Sequence, residues 1–344
     1  MDRYLRLFEN HEDYEDYASG GTMVKPNVSY CEDVKDVHYN PYVREYDKEY
    51  LTFVAIEDGT FKFSGNGIYY SLDNGTTWVS LPTNTYTPTV NAGKSILWKG
   101  NMQMQPYAGI GIFSSTNKFD VVGNILSLLY GDDFVGQTII PTAYYSSLNI
   151  FKGCTNLVNA ENLSLPPTLA TYCYSSMFQD CTSLTTTPQL PVTTLADLCY
   201  CFMFDGCTSL TTAPELPATT LTKYCYSNMF RGCTSLTSAP ELPATTLAES
   251  CYYQMFSGCT NLTTAPQLPA TTLANSCYYY MFSDCTNLNY IKAMFTTTPS
   301  STQTTNWVNG VAASGTFVKN SAATWTTTGV NGVPNGWTVQ YADS

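Results

Sequence analysis

Cys225-Tyr226-Ser227-Asn228-Met229-Phe230-Arg231-Gly232-Cys233-Thr234-Ser235-Leu236-Thr237-Ser238-Ala239-Pro240-Glu241-Leu242-Pro243-Ala244-Thr245-Thr246-Leu247 decides the fold, because it returns almost unchanged every 26 residues. Its first cysteine recurs at Cys173, Cys199, Cys225, Cys251 and Cys277, and its second at Cys181, Cys207, Cys233, Cys259 and Cys285. A degenerate earlier copy opens near Phe151-Lys152-Gly153-Cys154, one residue out of phase. A unit this short cannot enclose its own apolar side, so it must bury that side on its neighbours and build a solenoid. The core-facing ladder falls to Met229-Phe230, Cys233, Leu236, Leu242, Leu247 and their counterparts. Cys-Tyr-x-x-Met-Phe suits a turn or two of helix. Pro240 and Pro243 exclude helix from the opposite side, because each removes a donor and fixes φ, so that side runs extended with short strand pairing at most. Coils spaced about 4.8 Å apart make a stubby rod.

These residues carry a resemblance. The Met-Phe-x-Gly-Cys-Thr-x-Leu frame resembles the Ala-Phe-x-x-Cys-x-x-Leu frame of BspA-like leucine-rich repeats, a family abundant in Bacteroidetes surface proteins and their phages. The match runs over roughly residues 150 to 295 and recurs in phase. Thirteen cysteines raise the question of disulfides or metal, but the chain has no Cys-x-x-Cys pair and Cys199-x-Cys201 occurs once. A free cysteine is a small buried hydrophobe, and that is the expectation here.

Around the array, 138–295, the chain divides into an acidic anchor segment, 1–49, a small β-sandwich, 50–137, and a C-terminal cap, 296–344. The expected class is mainly β with short helices. Phe53–Ile56, Gly59–Ser64, Ile68–Ser71, Trp78–Leu81, Ser95–Trp98 and Phe119–Val122 read as short strands between Gly, Asn and Asp turns. Asp73-Asn74-Gly75 marks a hairpin. Two motifs here imitate enzymes. Ser71-Leu72-Asp73-Asn74-Gly75-Thr76-Thr77-Trp78 resembles the Asp-box of sialidase propellers, yet the chain has only Arg3, Arg6, Arg44 and Arg231 from which to build an acid-binding cluster. Tyr130-Gly131-Asp132-Asp133 copies a polymerase metal turn without a second acidic motif, and reads as a joining turn. Trp307, Trp325 and Trp337 in the last fifty residues suit a lid on the final coil.

Composition limits the function. Charged residues are 12 %, about half the usual share, and the formal net charge is −12. Such a chain is repelled by phosphate backbones and anionic lipid, so neither nucleic acid nor membrane insertion is expected. The opening residues lack the apolar stretch and small-residue cleavage site of a secretory signal. His11 and His38 both lie in the anchor, together with twelve of the twenty-seven acids, and no phosphate loop is present. No catalytic residue, metal ligand or cofactor is assigned, and an enzyme is not expected.

Binding is. Variation among the repeats concentrates in two columns, one through Ser175-Ser176, Cys201-Phe202, Ser227-Asn228, Tyr253-Gln254 and Tyr279-Tyr280, the other through Gln189, Glu215, Glu241 and Gln267. Phe202, Asn228, Tyr253, Gln254, Tyr279 and Tyr280 are the candidate surface-binding residues, facing a host glycan or protein. The string Lys25-Pro26-Asn27-Val28-Ser29-Tyr30-Cys31 followed by Val37-His38-Tyr39-Asn40-Pro41 resembles the leader of virion proteins of gut Bacteroides phages. Gly332-Val333-Pro334-Asn335-Gly336-Trp337-Thr338-Val339 resembles an ending common in the same phage and Bacteroides proteins. These resemblances imply a virion protein, assembled in the host cytoplasm as a fibre, head fibre or decoration. They imply attachment to other virion proteins through Tyr14, Tyr17, Pro26, Asn27, Tyr30, His38, Tyr39 and Pro41. Such appendages are commonly symmetric homo-oligomers, often trimers. A BspA-like adhesin of the bacterial surface is the alternative, and a host-cytosolic scaffold the third choice.

Overall fold

The structure, a computed structural model, describes residues 48–101, 112–140 and 149–342. The expected anchoring residues, Tyr14, Tyr17, Pro26, Asn27, Tyr30, His38, Tyr39 and Pro41, lie outside the described residues, as do His11 and Cys31. The described chain is mainly β with few short helices.

Alternating burial builds the first layer. In β1 (Leu51–Ala55) Leu51, Phe53 and Ala55 point inward, and in β5 (Ser95–Gly100) Ile96 and Trp98 do the same. With β3 (Ile68–Ser71), β4 (Val79–Ser80) and β7 (Phe119–Asn124) these strands form an antiparallel sheet in the order β4-β3-β5-β1-β7. A second pair, β2 (Phe61–Phe63) with β6 (Phe113–Ser115), supplies the facing rings. Phe53 meets Phe61, Phe113 and Phe119 at 4.8–5.3 Å between centroids. β6 has no counterpart among the strands expected from sequence, because only Phe113 of its three residues carries the apolar signal.

The sheet does not end at this layer. β7 pairs in parallel with β8 (Leu157–Asn159) and β9 (Leu163–Ser164) of the first repeat. Phe113 stacks on Phe151 at 6.0 Å, and Phe151 on Phe178 at 5.4 Å. From there the rings continue through Phe204, Phe230, Phe256 and Phe282, 5.5–5.8 Å apart and within 10° of parallel. A second file, Tyr174, Tyr200, Tyr226, Tyr252 and Tyr278, runs beside it at 5.9–6.1 Å, every ring at most 1 % exposed. Each such ring contributes about 1.5–3 kcal/mol by leaving water and about 0.5–1.5 kcal/mol more by stacking.

The expected ladder holds for Met229, Phe230, Cys233, Leu236 and Leu242, all at most 3 % exposed, while Leu247 is only half-buried. The expected helix in Cys-Tyr-x-x-Met-Phe is corrected. That stretch is a chain of turns in which alternate amides take different partners. Cys173, Ser175, Met177, Gln179 and Cys181 donate to the carbonyl three residues back. Tyr172, Tyr174, Ser176, Phe178 and Asp180 donate instead to Asp197, Cys199, Cys201, Met203 and Asp205 of the next coil, at 2.7–3.2 Å. An α-helix would have aimed its amides along its own axis, and past the first turn each would bond four residues back, so none would alternate across to a neighbour. Every fourth residue pays for this by turning left-handed: Tyr172, Ser176 and Asp180 have φ of 65°, 59° and 60°, and each later coil repeats the pattern. The proline side runs extended as expected, touching the next coil through single bridges such as Thr194↔Thr220 and Thr220↔Thr246.

The last coil is covered. Trp307 closes both ring files, 6.0 Å from Tyr278 and 6.3 Å from Phe282. Three parallel strands, β10 (Tyr290–Ala293), β11 (Thr316–Asn320) and β12 (Thr338–Ala342), continue the stack. The indoles of Trp307, Trp325 and Trp337 donate to the carbonyls of Gly332, Phe295 and Ala312 at 2.7–3.0 Å, as buried indoles must find partners. Lys319 is 4 % exposed, its ammonium on the Trp325 carbonyl at 2.7 Å and above that indole at 3.8 Å.

Glycine tests the register of the coils. Gly206 and Gly258 are both left-handed, but a Cβ on Gly206 would stand 2.5 Å from Asp180 Oδ1, whereas one on Gly258 would stand 3.6 Å from Gly232 Cα. Gly258→Ala and Gly206→Ala are each expected to cost about 1–2 kcal/mol for the left-handed alanine, with the Asp180 carboxylate swinging aside for the second. Denaturant midpoints check the size; no loss at either position would contradict the left-handed turns.

Candidate functional site

The turn chain fixes where the first variable column sits. Its second member is the middle left-handed position of each coil: Ser176, Phe202, Asn228, Gln254 and Tyr280 have φ between 52° and 59°. Asparagine tolerates this conformation, whereas an aromatic ring there is unusual. Variation does not mean exposure throughout the column. Ser175, Cys201, Ser227 and Asn228 are buried at 2–8 %, because they are short and neighbouring rungs close over them. Phe202, Tyr253, Gln254, Tyr279 and Tyr280 are half-buried at the surface.

Three of these form one cluster. Tyr253 and Tyr279, at the same position of successive coils, stack at 5.0 Å and 7°, and Tyr279 meets Tyr280 at 4.8 Å and 47°. Asn306 of the cap donates to the Tyr280 hydroxyl at 2.7 Å. Partial burial, then the neighbouring phenols of Tyr279 and Tyr280, raise the pKa of Tyr253 above the usual tyrosine value. Among the described residues no hydrogen bond reaches the side chains of Tyr253, Gln254 or Tyr279, so two phenols and an amide stand ready at a preformed surface. Asn228, whose amide N–H donates to the Tyr253 carbonyl at 2.7 Å, keeps its side-chain Oδ1 buried without a partner.

Next to this cluster lies a clasp that sequence reading did not single out. Gln179, Asp205 and Arg231 occupy one position of successive coils. Asp205 accepts from Gln179 Nε2 at 3.0 Å and from Arg231 Nε and Nη2 at 2.9 and 2.7 Å, a bidentate geometry that fixes the guanidinium 5.4 Å from the Phe202 ring. The signal was present as opposite charges one period apart. The same logic places Lys223 on Glu249 at 2.9 Å, with both side chains well exposed and so contributing little. Phe202 is thus spaced from the tyrosines by the Arg231 rung. The second column, Gln189, Glu215, Glu241 and Gln267, is exposed at every coil.

The twelve described cysteines are free and buried. Burial pushes the thiols of Cys154, Cys173, Cys201, Cys225, Cys277 and Cys285 up to about 12, far from the thiolate that oxidation and metal binding require. The second cysteine of each repeat has a further use. Cys207, Cys233, Cys259 and Cys285 donate S–H to Phe178, Phe204, Phe230 and Phe256 of the preceding coil at 3.0–3.1 Å. A small apolar group that also donates is what that position asks for.

The two enzyme-like motifs are consumed by structure. Asp73 accepts from the Ser71 hydroxyl and from Thr77 N–H and O–H at 2.6–2.8 Å, which closes the β3–β4 hairpin on itself. These bonds, led by Thr77, hold its carboxyl down at about 2. Asp132 accepts from Tyr50 at 2.6 Å and from Lys99 at 2.8 Å, and Lys99 lies 4.4 Å over Trp78. Burial, then the hydrogen bond to Asp132, raises Tyr50 to about 12. The turn is therefore a clamp between the sheet and the short segment formed by α1 (Ser127–Tyr130) and Gly131–Asp133. Among the described residues no group of three His, Cys, Asp or Glu converges on a metal position, and no helix is long and apolar enough to cross a membrane.

Against known families, the model of the BspA type Leucine rich repeat region matches the chain in 6 copies, over residues 139–239 and 194–304. No curated protein matches it, and no solved structure does. The resemblance carried by the Met-Phe-x-Gly-Cys-Thr-x-Leu frame therefore holds for the repeats. Repeats of this type are typical of extracellular or surface proteins and point to adhesion.

Native alkylation checks the thiols. Iodoacetamide at pH 8 is expected to leave the twelve described cysteines unmodified on the folded chain and to reach all of them after unfolding. The hairpin has its own pH signature. A carboxylate lowered to about 2 stabilises fully above its ordinary value near 3.9 and loses that contribution as pH falls through about 2. Trp78 emission should stay native at pH 4 and change only below 3, and Asp73→Asn should show the change at neutral pH.

Proposed function

We propose that this chain is a non-enzymatic adhesion protein carried on an exterior surface, in which a leucine-rich-repeat solenoid is held out by the segments that flank it. The matched BspA-type repeats are the observation that carries the reading. The division of labour follows the sequence boundaries: residues 1–49 attach, 50–137 seat the first coil, 138–295 meet the partner and 296–344 close the stack. A stack whose two ends are occupied, by the Phe53–Phe113 layer and by Trp307, leaves its lateral faces for binding. Pairing of ionisable groups within clamps, rather than across a cleft, is what supports a role without catalysis.

The exterior we favour is a phage virion, with the chain attached to other virion proteins through Tyr14, Tyr17, Pro26, Asn27, Tyr30, His38, Tyr39 and Pro41 and assembled there as a homo-oligomer. The support is the leader resemblance over residues 25–41 and the ending at Gly332–Val339. The bacterial cell surface is the alternative, favoured by the repeat family itself. Mass spectrometry of purified phage particles separates them. Peptides of this chain at a fixed copy number per particle are expected; their absence from particles and presence in outer-surface fractions of the bacterium would overturn the virion reading and leave the adhesin.

A further inference from the structure

The tyrosine cluster sits in an unusual electrical setting. From Ser250 to Ser283 there is no charged residue, although the chain as a whole carries a net charge of −12. What this stretch offers at the surface is hydroxyl, amide and phenol. A protein partner typically has about a quarter of its residues charged, and docking one here would strip water from charges that find nothing to pair with. A ligand made of hydroxyl groups meets no such cost.

We infer that this face binds a neutral glycan, laid along the stacking direction and anchored at Tyr253, Gln254, Tyr279 and Tyr280, with Arg231, its charge already paired with Asp205, at one end. The inference rests on the adhesion reading and names its ligand class. The stacked pair Tyr253–Tyr279 is closed on its inner faces, so it presents ring edges and hydroxyls rather than a flat platform. Those hydroxyls and the Gln254 amide have no partner among the described residues and can exchange hydrogen bonds with sugar hydroxyls. Successive coils repeat these groups at a spacing of 5.0 Å between surface rings, so a polymer of repeating sugars can engage more than one rung at once. Asn306 and the left-handed backbone at Gln254 and Tyr280 hold the groups in place before binding, which lowers the ordering cost.

The test is affinity electrophoresis of the full chain in gels containing mannan, galactomannan, laminarin or dextran, with heparin and alginate as charged comparisons. Retardation by at least one neutral polymer is expected, unchanged by added salt. Tyr279→Ala should weaken it at least tenfold, Tyr253→Phe and Tyr279→Phe should weaken it less, and Thr219→Ala on the proline side should leave it intact. The phenylalanine variants guard against a folding defect, since they keep the stacked rings. No retardation by any neutral polymer, retardation by the charged polymers alone, or an unaffected Tyr279→Ala would overturn the proposal. If the chain still adhered to cells, the adhesion reading would stand, with a protein ligand after no retardation at all, an acidic glycan after retardation by the charged polymers alone, and another face of the chain after an unaffected Tyr279→Ala. If it adhered to none, that reading would fall with it.

Discussion

Everything in the array depends on what is done with alternate backbone amides. In each turn chain one amide of every two closes a local turn and the other crosses to the next coil, as Phe178, Phe204, Phe230 and Phe256 do to Met203, Met229, Met255 and Met281 at 2.9 Å. The price is three left-handed residues per coil, at about 1–2 kcal/mol each where the residue is not glycine. The return is that every coil is bonded to the next along its turn side, with Phe and Tyr files brought into register within the same bonds. A helical turn would have been locally cheaper and would have left adjacent coils joined by side chains and the single bridges of the proline side.

That constraint explains the chemistry of the core. In-register stacking puts each side chain against its own copy, so residues that pack well on themselves are favoured: flat rings, Met, and a thiol that can donate one coil back. The twelve described cysteines fill such positions as free thiols. In-register stacking also fixes how charge is handled. An ion repeated at one position faces its own copy: the chain alternates charge along Gln179, Asp205 and Arg231, omits it between Ser250 and Ser283, and repeats it at Glu215 and Glu241, where both side chains are exposed to water. The surface that results is rigid and patterned, with aromatic and amide groups held by backbone rather than by loops.

Much of this was legible. Period, core ladder, extended proline side, buried thiols and aromatic cap follow from the spacing of Cys173, Cys199, Cys225, Cys251 and Cys277, from Pro240 and Pro243, and from three tryptophans beyond the last coil. The turn chain was not, because Cys-Tyr-x-x-Met-Phe has an apolar spacing that helix and turn share, and nothing local marks Leu198 or Tyr224 as left-handed. The buried tyrosine file was overlooked for a related reason. Tyr226 and its copies are constant like the core, but tyrosine is read as surface. At the candidate site the tyrosine cluster could be found from variation, whereas the burial of Asn228 and Ser227 could not, since it depends on what neighbouring rungs place over them.

Native-state hydrogen exchange on the central coils tests the cross-coil bonding most directly. The account predicts that the amides of Tyr226, Asn228 and Phe230, which donate to Cys251, Tyr253 and Met255, exchange only through global unfolding, as slowly as any in the chain. If these amides exchanged quickly by local opening while those of Ser227, Met229 and Arg231 stayed protected, the turn sides of the coils would be held by side-chain packing alone, and the rigid face built on them would lose its basis.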